Sequence, residues 1–98
     1  MQGGFTMLQG KVIYNEQEQS GNYVFTNIGS YMTAGFKSTF GDEAELIAFT
    51  AVALILENHP TDADYFQTFK YVYPDNREIK FWIINDVTHY TVLLPSEY

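Results

Sequence analysis

Two stretches of the sequence carry residue types that could perform acid–base or metal chemistry. The segment from His59 to Asp64 supplies one imidazole and the carboxylates of Asp62 and Asp64, and such nitrogen and oxygen ligands suit a divalent ion. His89 supplies a second imidazole, which can act as a general base because its unperturbed pKa lies near neutrality. These residues define the enzymatic hypothesis for this chain, a small hydrolase or a metal-dependent enzyme.

Neither stretch completes a known catalytic or metal-binding motif. The spacing of His59, Asp62 and Asp64 matches no established site, and a turn between a helix and a strand uses the same residue types as caps and solvated loop. The strand pattern places His89 opposite Trp82, where stacking of the two rings is the simpler role. The chain has no cysteine, which excludes thiol nucleophiles and disulfides. We therefore predict a protein that is not an enzyme and holds no metal or cofactor.

The element that must organise the chain is a helix predicted over about residues 42–58. Asp42 is a suitable N-cap residue, and Glu45 stands three positions later as its capping-box partner. His59 precedes a proline, which excludes it from the helical conformation and ends the helix.

The interior of this helix is apolar from Leu46 to Leu56 except for Thr50, so it lacks the wide polar face of a surface helix. The helix must therefore be covered on more than one side. A sheet covers one side, and a second molecule or the N-terminal residues Phe5, Met7, Leu8, Val12 and Tyr14 cover the rest. We predict the second molecule, in a symmetric homodimer. The clearest apolar stripe has the spacing i, i+3, i+7, i+10: Leu46, Phe49, Ala53 and Leu56.

Segments rich in β-forming residues lie on both sides of the helix. An N-terminal hairpin is predicted from Lys11–Tyr14 and Asn22–Thr26. A C-terminal antiparallel meander is predicted from Asp64–Tyr73, Glu78–Ile84 and Val87–Leu94. The sequence thus predicts one α+β domain, residues 1–98, in which an antiparallel sheet packs on one apolar helix.

The pairing within the meander depends on its turns. A two-residue loop at Asn85-Asp86 places Ile84 opposite Val87 and Trp82 opposite His89. The residues that this register directs toward the helix are Ile79, Phe81, Ile83, Tyr90, Val92 and Leu94. The loop after Tyr73 holds either four or five residues, and the two lengths send the side chains of residues 64–73 to opposite faces.

The net charge of −7 arises from 12 acidic residues and five lysines and arginines. Nucleic acid binding needs the opposite balance, so we expect no direct binding to DNA or RNA. An ordinary solvated surface explains the acids, and a surface that imitates phosphates is the alternative. The apolar run within the helix, residues 46–56, has about half the roughly 20 residues of a membrane span, and the N-terminus lacks a basic signal region. We expect a cytoplasmic protein that does not enter a membrane.

Aromatic residues make up 17% of the chain, and some of them must lie on the outer face of the sheet. Tryptophan and tyrosine are common at interface hot spots, and an exposed patch of them is unusual on a monomer. Coverage of this face by the N-terminal strands is the alternative. The residues that we predict to bind a partner are Trp82, His89, Lys80, Tyr71, Asp62 and Asp64.

Two motifs resemble a small family of uncharacterised proteins from Gram-positive bacteria and their phages, plasmids and chromosomal cassettes. They are Tyr31-Met32-Thr33-Ala34-Gly35 before the helix and Asp64-Tyr65-Phe66-Gln67-Thr68-Phe69 after it, within a likeness over roughly residues 31–90. The chain departs from that family in its extra N-terminal strands and its more apolar helix. The resemblance implies an accessory protein of a mobile element. The acidic charge, the absence of catalytic groupings and the surplus of apolar and aromatic residues give the leading hypothesis. It is a small acidic protein–protein interaction module, such as a phage or mobile-element protein that binds and inhibits a host protein, for example a nucleic-acid-acting defence factor.

Overall fold

The computed structural model describes residues 7–98, in which five strands form one sheet and helices pack on one of its faces. The strands are β1 (Lys11–Asn15), β2 (Gly29–Met32), β3 (Phe66–Val72), β4 (Glu78–Asn85) and β5 (His89–Leu93). The α-helices are α1 (Ala34–Phe40) and α2 (Ala44–Asn58), and short 3-10 helices span Gly41–Glu43 and Pro95–Glu97. The predicted α+β class is confirmed.

The strand order in the sheet is β1-β3-β4-β5-β2, and all pairs are antiparallel except β2 with β5. The predicted N-terminal hairpin is wrong, because β1 pairs with β3 and residues 22–26 form no strand. That segment instead runs beside the turn after α2, where the amides of Gly21 and Tyr23 donate to the carbonyls of Asp62 and Ala63. The two N-terminal strands therefore occupy the two edges of the sheet.

The predicted C-terminal end of α2 is confirmed, since the helix ends at Asn58 with His59 as its C-cap. The predicted start is wrong. Glu43 occupies the N-cap position without a side-chain cap, and Asp42 lies in the preceding 3-10 turn. Helix α1, which the sequence reading missed, leads into that turn through Gly41, whose φ of 55° suits glycine. Because the chain enters α2 from another helix, no free N-terminus is left to cap.

The core lies between α2 and the inner face of the sheet. The buried residues of α2 are Ala44, Ile47, Ala51, Val52 and Ile55, while α1 adds Phe36 and Phe40. The sheet contributes Phe69, Tyr71, Phe81, Ile83 and Val92. The prediction that Phe81, Ile83 and Val92 pack on the helix is confirmed.

The β4–β5 register differs from the predicted one. Trp82 lies opposite Leu93 and not His89, a displacement of four residues that leaves the same side chains facing the helix because the number is even. The predicted two-residue turn fails because Asn85 is buried and belongs to β4. Its side chain donates to the carbonyl of Val24 and accepts from the amide of Val87.

The sequence left open whether the loop between β3 and β4 has four or five residues. Val72 pairs with Glu78, so the loop is Tyr73–Arg77 and has five residues. With this loop, Phe69 and Tyr71 face the helix and are buried.

Ile47→Ala tests which face of α2 is buried. We expect it to lower the free energy of unfolding by about 2–5 kcal/mol, because Ile47 is 0% exposed and its truncation leaves a cavity. Leu46→Ala is the matched control on the opposite face and should cost less than about 1.5 kcal/mol. Urea denaturation measures both values, and equal losses would contradict the described orientation of α2.

Candidate functional site

The residues predicted to bind a partner do not lie together in the structure. Trp82 and Lys80 project from the outer face of the sheet, on the side away from α2. Tyr71 is 0% exposed, and its hydroxyl accepts a hydrogen bond from the amide of Gly10 at 2.8 Å. The prediction for Tyr71 is therefore wrong, because β3 turns this side chain into the core.

The predicted roles of Asp64 and His89 also need correction. Asp64 is buried at 8% exposure, and its carboxylate accepts from the amide of Tyr65. His89 does not stack on Trp82, because the β4–β5 register separates them. Its ring meets the ring of Tyr31 edge-on, with 4.9 Å between centroids. His89 still shares the outer face of the sheet with Trp82, because it alternates with the inward-facing Tyr90 and the Trp82 partner Leu93 lies on the same side. Asp64 does not belong to that face.

His59 lies between two carboxylates at the C-terminal end of α2. Its Nδ1 is 2.9 Å from Asp62 Oδ1, and its Nε2 is 2.8 Å from Glu16 Oε2. The hydrogen bond to Asp62 raises the pKa of His59, the bond to Glu16 adds to this, and burial of the ring opposes it. Both ring nitrogens of His59 thus contact carboxylates.

The surrounding polar groups tie the loop after β1 to the turn after α2. Gln17 is the centre of this network, since its Oε1 accepts from the amide of Asp64 and from Gln67, and its Nε2 donates to the carbonyl of Asp62. The Tyr14 hydroxyl donates to Gln67, and burial together with the nearby Glu16 charge raises the pKa of Tyr14 to about 12. Within residues 7–98, no group of three or more histidine, aspartate or glutamate side chains is arranged to hold a metal ion.

The structure reveals an apolar stripe on the solvent side of α2. Phe49 is 72% exposed and Leu56 is 37% exposed, and they share this side with Leu46 and Ala53. The stripe is the one that the sequence spacing indicated, but it lies opposite the buried residues of the helix. Sequence reasoning found the stripe and could not tell that it faces solvent, because α2 is apolar on both sides.

A groove of about 460 Å³ continues this stripe toward the edge of the sheet, between α2 and β2. Met32, Tyr90 and Val92 line it from the sheet, while Ala48 and Phe49 line it from the helix. A smaller groove of about 310 Å³ follows along α2 toward Leu56. We call the stripe and the larger groove the α2 surface, defined by Ser30, Tyr31, Met32, Glu45, Leu46, Ala48, Phe49, Ala53, Leu56, Tyr90 and Val92.

The outer face of the sheet is a less apolar surface. The Trp82 ring lies between the rings of Phe66 and Tyr98, at centroid distances of 5.0 and 5.7 Å, and is only partly exposed. Lys70 and Lys80 are directly opposite each other in β3 and β4. These lysines lie among the aromatic residues of the outer face, whereas the apolar stripe of α2 contains no charged residue.

Comparisons of the chain with protein-family models, with curated proteins and with solved structures find no match. Among the described helices, none has both the length and the apolar character needed to cross a lipid bilayer. The features that bear on function are therefore those of the chain itself.

The His59 contacts predict a pH dependence of stability. The folded-state pKa of His59 is raised above the ordinary value of 6.5, so the protonated ring stabilises the fold below that value. This stabilisation is lost as the pH rises through the folded-state pKa. Urea unfolding of the native protein between pH 5.5 and 8.5 should show the loss, and His59→Gln should flatten the profile. An unchanged profile in the variant would contradict a role for the Glu16–His59–Asp62 contacts.

Proposed function

We propose that this protein is a non-enzymatic protein–protein interaction module that binds its partner through the α2 surface. The observation that carries the proposal is the 72% exposure of Phe49 at the centre of an apolar stripe and beside an apolar groove. Aromatic side chains contribute much of the energy of protein interfaces, and apolar patches of this kind on a folded protein mark interaction sites.

The same surface supports a symmetric homodimer as the state of the protein without another partner. A two-fold axis places the stripe of one molecule on the stripe of its partner and covers both at once. Burial of about 400 Å² of apolar surface contributes on the order of 10 kcal/mol before the costs of association, at about 25 cal/mol per Å². That is sufficient for a weak dimer, which a stronger partner can displace.

The setting of the proposal comes from the sequence resemblance and from the charge. A cytoplasmic accessory protein of a phage or other mobile element acts on proteins of its host, and inhibition by occupation of a surface needs no catalytic group. The net charge of −7 favours a partner with a basic surface. Proteins that act on nucleic acids have such surfaces. The enzymatic hypothesis lacks comparable support, since both ring nitrogens of His59 bind carboxylates.

Phe49→Ser tests the dimer. At micromolar concentration, light scattering should give about twice the chain mass of 11.3 kDa for the native protein and about one chain mass for the variant. Tyr98→Ser is the control, because Tyr98 is an aromatic residue that is 84% exposed and contacts Trp82 on the outer sheet face. A native protein that stays at one chain mass would defeat the homodimer.

Affinity capture from a Gram-positive host lysate tests the interaction module. The native protein and Tyr98→Ser should retain the same stoichiometric partner, and Phe49→Ser should retain at least about tenfold less, because a buried aromatic anchor is lost. If the acids attract a basic partner, retention should also fall as salt is added. Equal recovery by all three proteins would show that the partner does not use the α2 surface.

A further inference from the structure

We propose that the α2 surface takes an extended segment of a foreign protein, which adds a strand to the free edge of β2 and carries a lysine or arginine between apolar residues. This inference rests on the proposed function and specifies the partner. Three features of the structure lead to it: the hydrogen bonding of β2, the position of the groove and the charge at its rim.

The outer edge of β2 has backbone groups directed away from the sheet. The amides of Gly29 and Thr33 donate to the carbonyls of Thr88 and Val92, at 3.2 and 3.0 Å, on the β5 side. Backbone groups alternate in direction along a strand, so those of Ser30 and Met32 point the other way. In the part of the chain from residue 7 onward, β2 is the last strand on this side of the sheet.

This edge has no charged residue, proline or bulge to prevent pairing with another chain, and its protection is limited to its short length of four residues. Natural edge strands carry charged residues, prolines or bulges, whereas β2 reads Gly-Ser-Tyr-Met. The opposite edge strand, β1, begins with Lys11 and lies beside α2. The two edges are thus unequal, and β2 is the one suited to accept a strand.

The groove lies directly beside this edge. Ser30 and Met32 line it, together with Phe49 on the helix side. A strand added at β2 would continue the sheet beneath the groove, and every second side chain of that strand would point to the same face as Met32. Those side chains would meet the exposed ring of Phe49. Apolar residues at alternate positions therefore fit this site.

The charge around the groove favours a basic segment at the β2 edge over the strand of a second copy, a contact that the proposed stripe-to-stripe dimer does not use. Glu45 lines the groove and is exposed, and Asp42 lies with it in the adjoining depression next to Phe49. A lysine or arginine in the added strand can pair with Glu45, whereas a second copy brings the same acids and a net charge of −7 to the site.

Selection from a displayed library of random twelve-residue peptides tests the inference directly. The enriched peptides should show apolar residues at every second position and at least one lysine or arginine. Enrichment of a helical spacing, with apolar residues three and four positions apart, would overturn the strand, and so would acidic peptides or no enrichment at all.

Glu45→Lys and Glu57→Lys provide matched variants, since both residues are exposed on α2 and the two substitutions change the net charge equally. Glu57 does not line the groove. The affinity for the best enriched peptide should fall at least about tenfold in Glu45→Lys and change less than about threefold in Glu57→Lys. Equal losses in the two variants would contradict the pairing with Glu45.

Amide hydrogen exchange followed by NMR reports the pairing itself. With the same peptide, the amides of Ser30 and Met32 should become protected, while Thr33 should be protected with and without it. Binding that depends on Phe49 but leaves Ser30 and Met32 unprotected would overturn the strand and keep the proposed function. Protection that rises with protein concentration alone would instead assign the edge to a second copy. A protein that selects no peptide and captures no partner would remove both proposals.

Discussion

The packing of α2 on the inner face of the sheet is the constraint on which the rest of the structure depends. The helix has apolar residues on both sides, and one sheet buries only the side that carries Ile47, Ala51 and Ile55. The side with Phe49 is left in contact with water, and Phe49 is 72% exposed. The exposed surface is therefore a direct result of having one covering layer for a helix that needs two.

Local pattern explains most of what the sequence reading predicted correctly. The proline after His59 ends α2. Alternation in β4 and β5 directs Phe81, Ile83 and Val92 to the core in any register that differs by an even number of residues. Pairing partners are not encoded in this way. The sequence of Lys11–Asn15 is compatible with pairing either to residues 22–26 or to β3. The pairing with β3 follows from packing in the assembled core. The exposure of Phe49 could not be predicted either, because α2 has apolar residues on both faces and the pattern does not show which face is buried.

The residues that most resembled a chemical site have a structural role. The His59 ring contacts the carboxylates of Asp62 and Glu16. Gln17, from the same distant segment as Glu16, forms hydrogen bonds with the backbone of Asp62 and Asp64. The result is a polar connection between the loop after β1 and the end of α2. Residue types suited to catalysis are also those that form hydrogen bonds with irregular backbone. Which of the two roles a residue has depends on the atoms to which its side chain is hydrogen-bonded.

The sheet has its N-terminal strands at the two edges and its C-terminal meander in the centre. β1 pairs with residues more than 50 positions later, and β2 pairs with residues 60 positions later. During synthesis, the strands that emerge first therefore have no sheet to join until the meander has left the ribosome. Folding is postponed until nearly all of residues 7–98 have been made, and contacts of such high sequence separation are formed slowly.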